Sequence, residues 1–585
     1  MQLLYNGLYR YESEHLDAVP DLAAAPCDIA ADNVTITCTL VNTTFHDGTP
    51  MTADDVVFTY ELVRRHPQAC SPDGFGLGFS TCLDMLDSVS ARDEHTVEFR
   101  LKAPNATFFT LILPNVMIDS RANVEASYQP LADRAANLDP DAFDGLAQQI
   151  YDDLFSEEPL CGDVDAADAL LTSAGLPTYP HEQFALDGAP FDACLYSEVA
   201  AELLVGIAAS LRTTGLDAIS AAYHALSLNQ QPVGTGPFRF TGIVDGNRAS
   251  FDAFDGYHFG RPAAPGVDML FTHDDAVIAE GLQSGAINWA PVGQNHALYS
   301  QVKNYPNLQF AEYAAEAYGL IGYNLRPGSL FADKALRSAV ELCIDKPATV
   351  EAATSGNGDV IYSPIDPISW AFQPDLRHSE RDVSAAKALI ESDGWSLGED
   401  GIYVRNGKRL SANIVAPTSD APRTHFLDLV KDQVKDCGIE VNPILADQDT
   451  VLGPVLTYPH LIPGTDQPVD GVSIYFAHGF DPDDPSWSSQ NVSSEENPRG
   501  YNFMGFSDPE VDRLLAEGRA TYDQRERARI YRQFQEVLAA EQPVLFTWGV
   551  RTTEALDRRM RLTDGPVDLG SRMWWWELEK LTLAP

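Results

Sequence analysis

Between residues 33 and 63 the hydrophobic period changes from two to nearly four across a single tight turn, and this switch constrains the fold more than any other segment. Asn33-Val-Thr-Ile-Thr-Cys-Thr-Leu-Val41 alternates as a strand, and the chain then breaks at Asp47-Gly48-Thr49-Pro50. Thr52 follows as an N-cap with Asp55 in the capping-box slot, and Val56, Tyr60 and Val63 fall on one helical face. Further strands are expected at 95–101, 236–241 and 267–271. Helices are expected at 275–284, closed by Gly285, and at 331–353, 382–393 and 421–437. A helix pair fills 506–541, opened by Ser507 as cap with Pro509 in the first turn. From about 120 to 229 the chain is rich in Ala, Asp and Leu and reads as helices parted by Pro/Gly loops, 195–225 being the longest. Strands and helices mix without strict βαβ order, so the class is α/β to α+β.

At ~150 residues per domain, 585 residues make about four units, or two or three large lobes. A hydrophobic content of 44% excludes a disordered chain. The net charge of −46 excludes phosphate backbones and anionic lipid as natural partners, so no nucleic-acid role is expected. Only nine of the bases are lysine, a balance suited to a protein kept soluble outside the cell or in salt. No run reaches the ~18 to 20 apolar residues of a membrane helix. The start, Met1-Gln-Leu-Leu-Tyr-Asn-Gly-Leu-Tyr-Arg10, lacks the basic, apolar and cleavage segments of a signal peptide.

Eight cysteines form an even set. Cys27 and Cys38 flank a turn-like segment, Cys70 and Cys82 a glycine-rich loop, and Cys161 and Cys194 a Pro/Gly-rich stretch, leaving Cys343 and Cys437. Disulfides and an oxidising compartment are the favoured reading, with buried free thiols as the alternative. No CxxC and no zinc-spaced Cys/His cluster occurs, so neither a metal nor a cofactor is expected.

Five segments, in order, resemble the extracellular solute-binding proteins of family 5, the dipeptide-, oligopeptide- and nickel-binding proteins of ABC importers. They are Leu3-Leu-Tyr-Asn-Gly-Leu8 with Val19-Pro-Asp-Leu-Ala23; Phe45-His-Asp-Gly-Thr-Pro-Met-Thr-Ala-Asp-Asp-Val-Val-Phe58; and Val233-Gly-Thr-Gly-Pro-Phe-Arg239 with Leu282-Gln-Ser-Gly-Ala-Ile287. Tyr323-Asn324 with Lys334–Ala339 and Ile344–Lys346 is the fourth, and Gly479-Phe-Asp-Pro-Asp-Asp-Pro485 with Phe506–Asp512 the fifth. Gly234, Gly236 and Pro237 read as a tight reversal, since GxG alone is weak as a phosphate loop.

The resemblance implies a periplasmic-binding-protein-like fold of two lobes with a hinge, a small subdomain and a helical insertion. The first lobe would hold 1–23, 230–320 and 546–585, the small subdomain 24–229 with the insertion at about 120–229, and the second lobe 321–545. It implies a monomer that captures a peptide or small-molecule ligand and delivers it to ABC permease subunits and their ATPase. The setting would be extracytoplasmic, in the periplasm or lipid-anchored on the outer face of the membrane. Relatives begin with a signal segment and a first strand, so this chain is expected to be truncated at its front.

For the ligand site the resemblance points to Asp481 as a carboxylate for an α-ammonium, with His478, Gly479 and Phe480 beside it. An Asx-Pro turn is the blander reading, and a calcium loop of Asp481, Asp483 and Asp484 lacks EF-hand spacing. Tyr475 stands where some oligopeptide binders place an arginine for the ligand carboxylate. Asn6, Gly7, Asn324, Thr418 and Ser419 fall where relatives line the cleft, and Phe75 or Phe79 could add an aromatic wall. Trp574-Trp575-Trp576 resembles a sugar platform, although core packing of the tail is the better account. No HExxH, G-x-S-x-G or P-loop occurs, so no catalytic residue is expected. Sugars, opines, metal chelates, a secreted receptor or chaperone-like module, and a secreted hydrolase remain alternatives.

Overall fold

The computed structural model describes residues 2–12, 17–66, 83–154, 161–184, 191–244, 247–293, 295–365, 367–418, 420–446, 453–477, 481–498, 500–571 and 573–584. The chain divides into two compact units. The first is Met1–Pro104, Phe108–Ala311 and Thr553–Pro585, and the second is Asn105–Thr107 with Glu312–Thr552.

In the first unit the strands Asp28–Ile29, Thr35–Thr39, Thr96–Leu101 and Leu86–Asp93 form an antiparallel sheet in that order. The expected helix runs Ala53–Arg65. Asp55 Oδ2 accepts from both the N–H and the hydroxyl of Thr52, each at 2.9 Å. One face of this helix, with Val56 and Tyr60, packs on Ile36, Phe99 and Phe108 of the sheet core. The other face sends Phe58 and Leu62 into a separate core built by the helical segment.

That segment comprises the helices Arg121–Ala132, Pro140–Leu154, Val164–Ser173, Ala193–Leu211 and Leu216–Ala222. The expected 195–225 helix is thus two, because Gly215 at φ 62° breaks it. Ala193–Leu211, 19 residues long, is the one helix among the described residues long and apolar enough to cross a membrane. Half of its apolar window is buried, with Ala200, Leu204 and Ile207 wholly inside the segment's core. The segment is fastened to the capped helix by polar bonds as well. Arg121 N–H donates to Asp55 Oδ1 (3.0 Å), and Ser220 Oγ donates to the Leu62 carbonyl (2.8 Å).

Gly234 and Gly236 serve close approach and not the expected reversal. Neither has positive φ, and an added Cβ at Gly234 would lie 2.0 Å from the Leu4 carbonyl oxygen. The gap is closed by Gly236 N–H donating to Leu4 O at 2.8 Å.

In the second unit Ala317–Tyr323, the end of the strand Leu308–Tyr323, pairs antiparallel with Gly471–Ala477, which runs parallel to Ser411–Pro417, itself parallel to Glu440–Ala446. The carboxyl ends of these last three strands therefore share one edge. Alternate residues feed two cores: Ile414 and Ala416 enter one, Val415 and Val472 the other. Two expectations need correction here. The 331–353 helix is two, Lys334–Cys343 and Lys346–Thr354, since the Asp345 side chain accepts the Ala348 N–H (3.2 Å) and starts a new helix. The cap of Pro509–Ala520 is Asp508, not Ser507, accepting from the N–H groups of Glu510 and Val511.

Three of the expected cysteine pairs are bonded: Cys27–Cys38, Cys161–Cys194 and Cys343–Cys437, with Cα separations of 4.4, 4.3 and 6.2 Å. Cys70 and Cys82 lie outside the described residues. Cys161–Cys194 closes a 33-residue loop within the helical segment. The Cys161→Ser/Cys194→Ser double variant should lose about 3–4 kcal/mol by loop entropy, read as a lower transition temperature in calorimetry. An unchanged transition would mean the bond adds nothing.

Asp119 opens this segment and is wholly buried, its Oδ2 accepting from the Tyr223 hydroxyl at 2.6 Å. Burial pushes its carboxyl up to about 6. The folded state therefore holds this proton more tightly than the unfolded state, whose carboxyl titrates near 3.9. Stability from this group should fall as pH rises from about 4 to about 6. Asp119→Asn should be more stable than wild type above pH 6, with the advantage vanishing near pH 4. A constant difference across pH in urea titrations would contradict this.

Candidate functional site

Asp481, expected to meet a ligand ammonium, lies just past the carboxyl end of Gly471–Ala477 and is 5% exposed. Its Oδ2 accepts from Arg527 Nη1 and its Oδ1 from Arg527 Nη2, both at 2.9 Å. Oδ1 also accepts the Asp483 N–H at 2.8 Å, so the Asx turn is present. Arg527 comes from the helix Gln524–Glu541, is 2% exposed, and also donates Nε to the Gly518 carbonyl. Asp481 raises the Arg527 guanidinium further, against the opposing effect of its burial. Both oxygens of this carboxylate are thus engaged by Arg527, with which a ligand ammonium would compete.

The neighbouring acids are separately engaged. Asp483 accepts from Arg519 at 2.8 Å, while Asp484 caps Pro485–Trp487. Three carboxylates bound to three different partners do not make the calcium loop weighed above. Among the described residues no cluster of three metal-ligating side chains occurs.

Tyr475 and Thr418 are the two expected residues that fall together at the parallel-strand edge. Thr418 is exposed and donates its N–H to Ala446 O (2.8 Å). Tyr475 pairs across the ladder with Gly319, where an added Cβ would lie 3.1 Å from the Tyr475 ring, so the glycine makes room for that ring. Trp548 packs against one side of Tyr475 (centroids 5.8 Å), and the Arg423 guanidinium lies 4.4 Å from its centroid. Arg423 sits in the first turn of Ala421–Asp436, whose N-cap is Asp420. Asp420 accepts the Arg423 N–H at Oδ1 and Arg423 Nε at Oδ2, both 2.9 Å.

The remaining expected residues sit elsewhere. Asn324 is half-buried and bonds Val469 O through Nδ2 (3.0 Å), bracing its own unit. Asn6, in the first unit, donates to Asp21 Oδ2 (2.9 Å) and accepts from Thr235 Oγ1 (3.2 Å). Asp21 Oδ1 in turn meets His258 Nε2 at 2.7 Å, so Asn6 belongs to a buried polar hub. Gly7 is packed so that a Cβ would lie 2.5 Å from Leu113 O. Asn6 and Gly7 border a water-sized hollow with Arg10 and Glu579. Trp575 packs at a tilt against Trp289 (centroids 4.3 Å) and donates to Gln2, and Trp576 meets Tyr11 edge-on (5.2 Å), so these two pack locally. His478, Gly479, Phe480, Ser419, Phe75 and Phe79 lie outside the described residues.

Arg423, Asp420, Arg527 and Trp548 were not singled out from sequence. One signal for Arg423 was legible: a cation in the first helical turn opposes the helix dipole, so Asp420-x-x-Arg423 asks for a reason.

Asp481→Asn should cost 3–5 kcal/mol in urea unfolding, because it leaves Arg527 buried without its counterion. Asp481→Asn combined with Arg527→Met should recover much of that loss. A single variant as stable as wild type would show that the pair is not formed in solution.

The profile described as bacterial extracellular solute-binding proteins, family 5 Middle, matches residues 17–494. The oligopeptide-binding protein AppA of Bacillus subtilis (strain 168) is 24% identical over 507 residues, covering 86% of this chain and 73% of that protein. The solved structure of B. subtilis AppA in complex with a nonapeptide aligns at TM-score 0.61 and 21% identity, over 100% of this chain and 94% of that one. NikZ from Campylobacter jejuni in complex with Ni(L-His) aligns at TM-score 0.66 and 19% identity, over 99% and 94%.

Proposed function

The chain belongs to the bacterial extracellular solute-binding proteins of family 5, and from that premise we propose that it captures a peptide or another amine-bearing small solute for an ABC importer. Its fold is periplasmic-binding-protein-like, with mixed helix and sheet. The match over residues 17–494 carries the reading, since it spans most of both units. Two lobes would close on the solute and present it to permease subunits driven by an ATPase, with the binding protein acting as a monomer. No bond is made or broken in this role.

The chain acts outside the cytoplasmic membrane in this reading, in the periplasm or tethered by lipid to the outer face. Three disulfides among the described residues suit an oxidising compartment. A peptide is favoured because B. subtilis AppA binds a nonapeptide. The net charge of −46 would draw cationic solutes within about one Debye length, a distance that grows as salt falls. With Asp481 held by Arg527, amine preference would come first from this field and only after rearrangement from that carboxylate.

A thermal-shift panel of di- to pentapeptides, sugars and metal chelates tests the reading. A true ligand at 100-fold its Kd should add ~2.7 kcal/mol, and lysine-containing peptides should lose affinity as NaCl rises. Stabilisation by sugars or chelates but by no peptide would replace the solute class. Release of hydrolysed product would replace the function.

A further inference from the structure

Residues 120–229 hold 18 acids and three bases, a net −15 of the chain's −46 carried by 110 of its 585 residues. All three bases are engaged within the segment. Arg121 Nε meets Glu125 at 2.8 Å, Arg134 Nη1 donates to the Pro130 carbonyl at 3.2 Å, and Arg212 bridges Asp141 and Asp144. The stretches of this segment outside the described residues, 155–160 and 185–190, contain no Lys, Arg or His. No base of the segment is thus left for the outer face of the 19-residue helix Ala193–Leu211.

That helix turns Leu195, Glu198, Glu202 and Val205 outward as one stripe, at spacings of three, four and three. Leu195 and Val205 are 47% and 41% exposed and stand ~15 Å apart along the axis, with the two acids between them. Tyr151 of Pro140–Leu154 feels both acids: burial raises its hydroxyl, and Glu202 and Glu198 raise it further. Burial and the Glu198 charge likewise raise the Glu202 carboxyl. Like charges at i and i+4 weaken a helix, so this pair costs the fold stability. The start of the helix is held none the less, by the Cys161–Cys194 bond and by Asp192, whose side chain accepts the Cys194 and Leu195 N–H groups. The face is therefore fixed in place, apolar at both ends and negative in the middle.

Its charge selects what can cover it. A second copy or an anionic lipid surface would bring like charge to a segment of −15, and a small cation would leave the two apolar ends in water. A helix that presents two cations between two apolar side chains matches the stripe position by position. We propose that the Leu195–Val205 face of Ala193–Leu211 docks a cationic amphipathic helix of a partner protein. This surface is independent of the solute reading above and holds whatever solute the chain carries.

The probe is a synthetic helical peptide with two lysines between two leucines at the same spacings, titrated into the full chain by calorimetry. Salt is kept at ~0.15 M, where attraction between exposed charges is screened beyond about 8 Å. Wild type should bind the peptide, and Glu198→Gln/Glu202→Gln should weaken binding by about tenfold or more. Leu195→Ser/Val205→Ser should weaken it comparably, because the apolar ends carry the desolvated contact. Glu495→Gln/Glu496→Gln, which removes the same charge from exposed acids of the second unit, should change it less than about twofold. A photoreactive leucine in the peptide should form adducts with Pro140–Leu154 and Ala193–Leu211. Equal losses in the two glutamine variants would reduce the effect to bulk attraction and overturn the proposal. So would adducts spread over both units, no binding by wild type, or equal binding of a peptide with glutamates in place of the lysines. Without peptide, Glu198→Gln/Glu202→Gln should melt no lower than wild type, since it relieves a repulsion. A lower transition would mean that the two acids serve the fold, and it overturns their assignment to a partner.

Discussion

Asp481 and Arg527 meet where water is almost wholly excluded, and the second unit is organised around their charge balance. A buried guanidinium is tolerable only when its donors are matched, and here two carboxylate oxygens and the Gly518 carbonyl match them. The pair joins the segment after Gly471–Ala477 to the helix Gln524–Glu541. Asp483 and Arg519 repeat the device beside it at 2.8 Å, where Arg519 partly offsets the rise that burial imposes on the Asp483 carboxyl. Bases are scarce in a chain with 39 of them against 85 acids, so each buried guanidinium is given an acid or carbonyl partner: Asp481 for Arg527, Asp420 for Arg423 and backbone carbonyls for Arg337.

The first unit depends on a different economy, the sharing of one helix between two cores. Ala53–Arg65 leaves only a narrow stripe with Asp54, Arg64 and Arg65 to solvent, because Val56 and Tyr60 serve the sheet while Phe58 and Leu62 serve the helical segment. Asp55 is what makes this arrangement precise in register. One oxygen closes the helix start on Thr52 and the other receives the Arg121 backbone, so a capping residue also positions the next structural layer. The helical segment is therefore integral to the unit's packing and is not a loose decoration on it.

Much of this was legible in the sequence where the information is local. The Thr52–Asp55 box, the alternation of Thr96–Leu101 and the Gly285 closure at φ 77° follow from spacing and residue type alone. Cys27–Cys38 and Cys161–Cys194 were legible because each pair flanks a turn or loop, and Cys343–Cys437, 94 positions apart, was the pair left over. What failed was of two kinds. Helix ends shifted where a second good cap competed, as Asp508 did with Ser507 and Asp345 did inside 331–353. Tertiary partners were invisible: nothing in the Asp-Pro-Asp-Asp-Pro motif announces that Arg527, 46 positions on, fills its first carboxylate. Gly234 was read as a turn because a sequence cannot distinguish a glycine needed for φ from one needed for backbone approach.

Asp481 also shows how a site must be judged. Type and motif favoured the aspartate, a group of the right charge at a matching position. Recognition also needs donors or acceptors that the fold has oriented and left open, and both Asp481 oxygens hold Arg527. A ligand ammonium at this carboxylate would compete with that ion pair, so binding there is coupled to the packing of the Gln524–Glu541 helix.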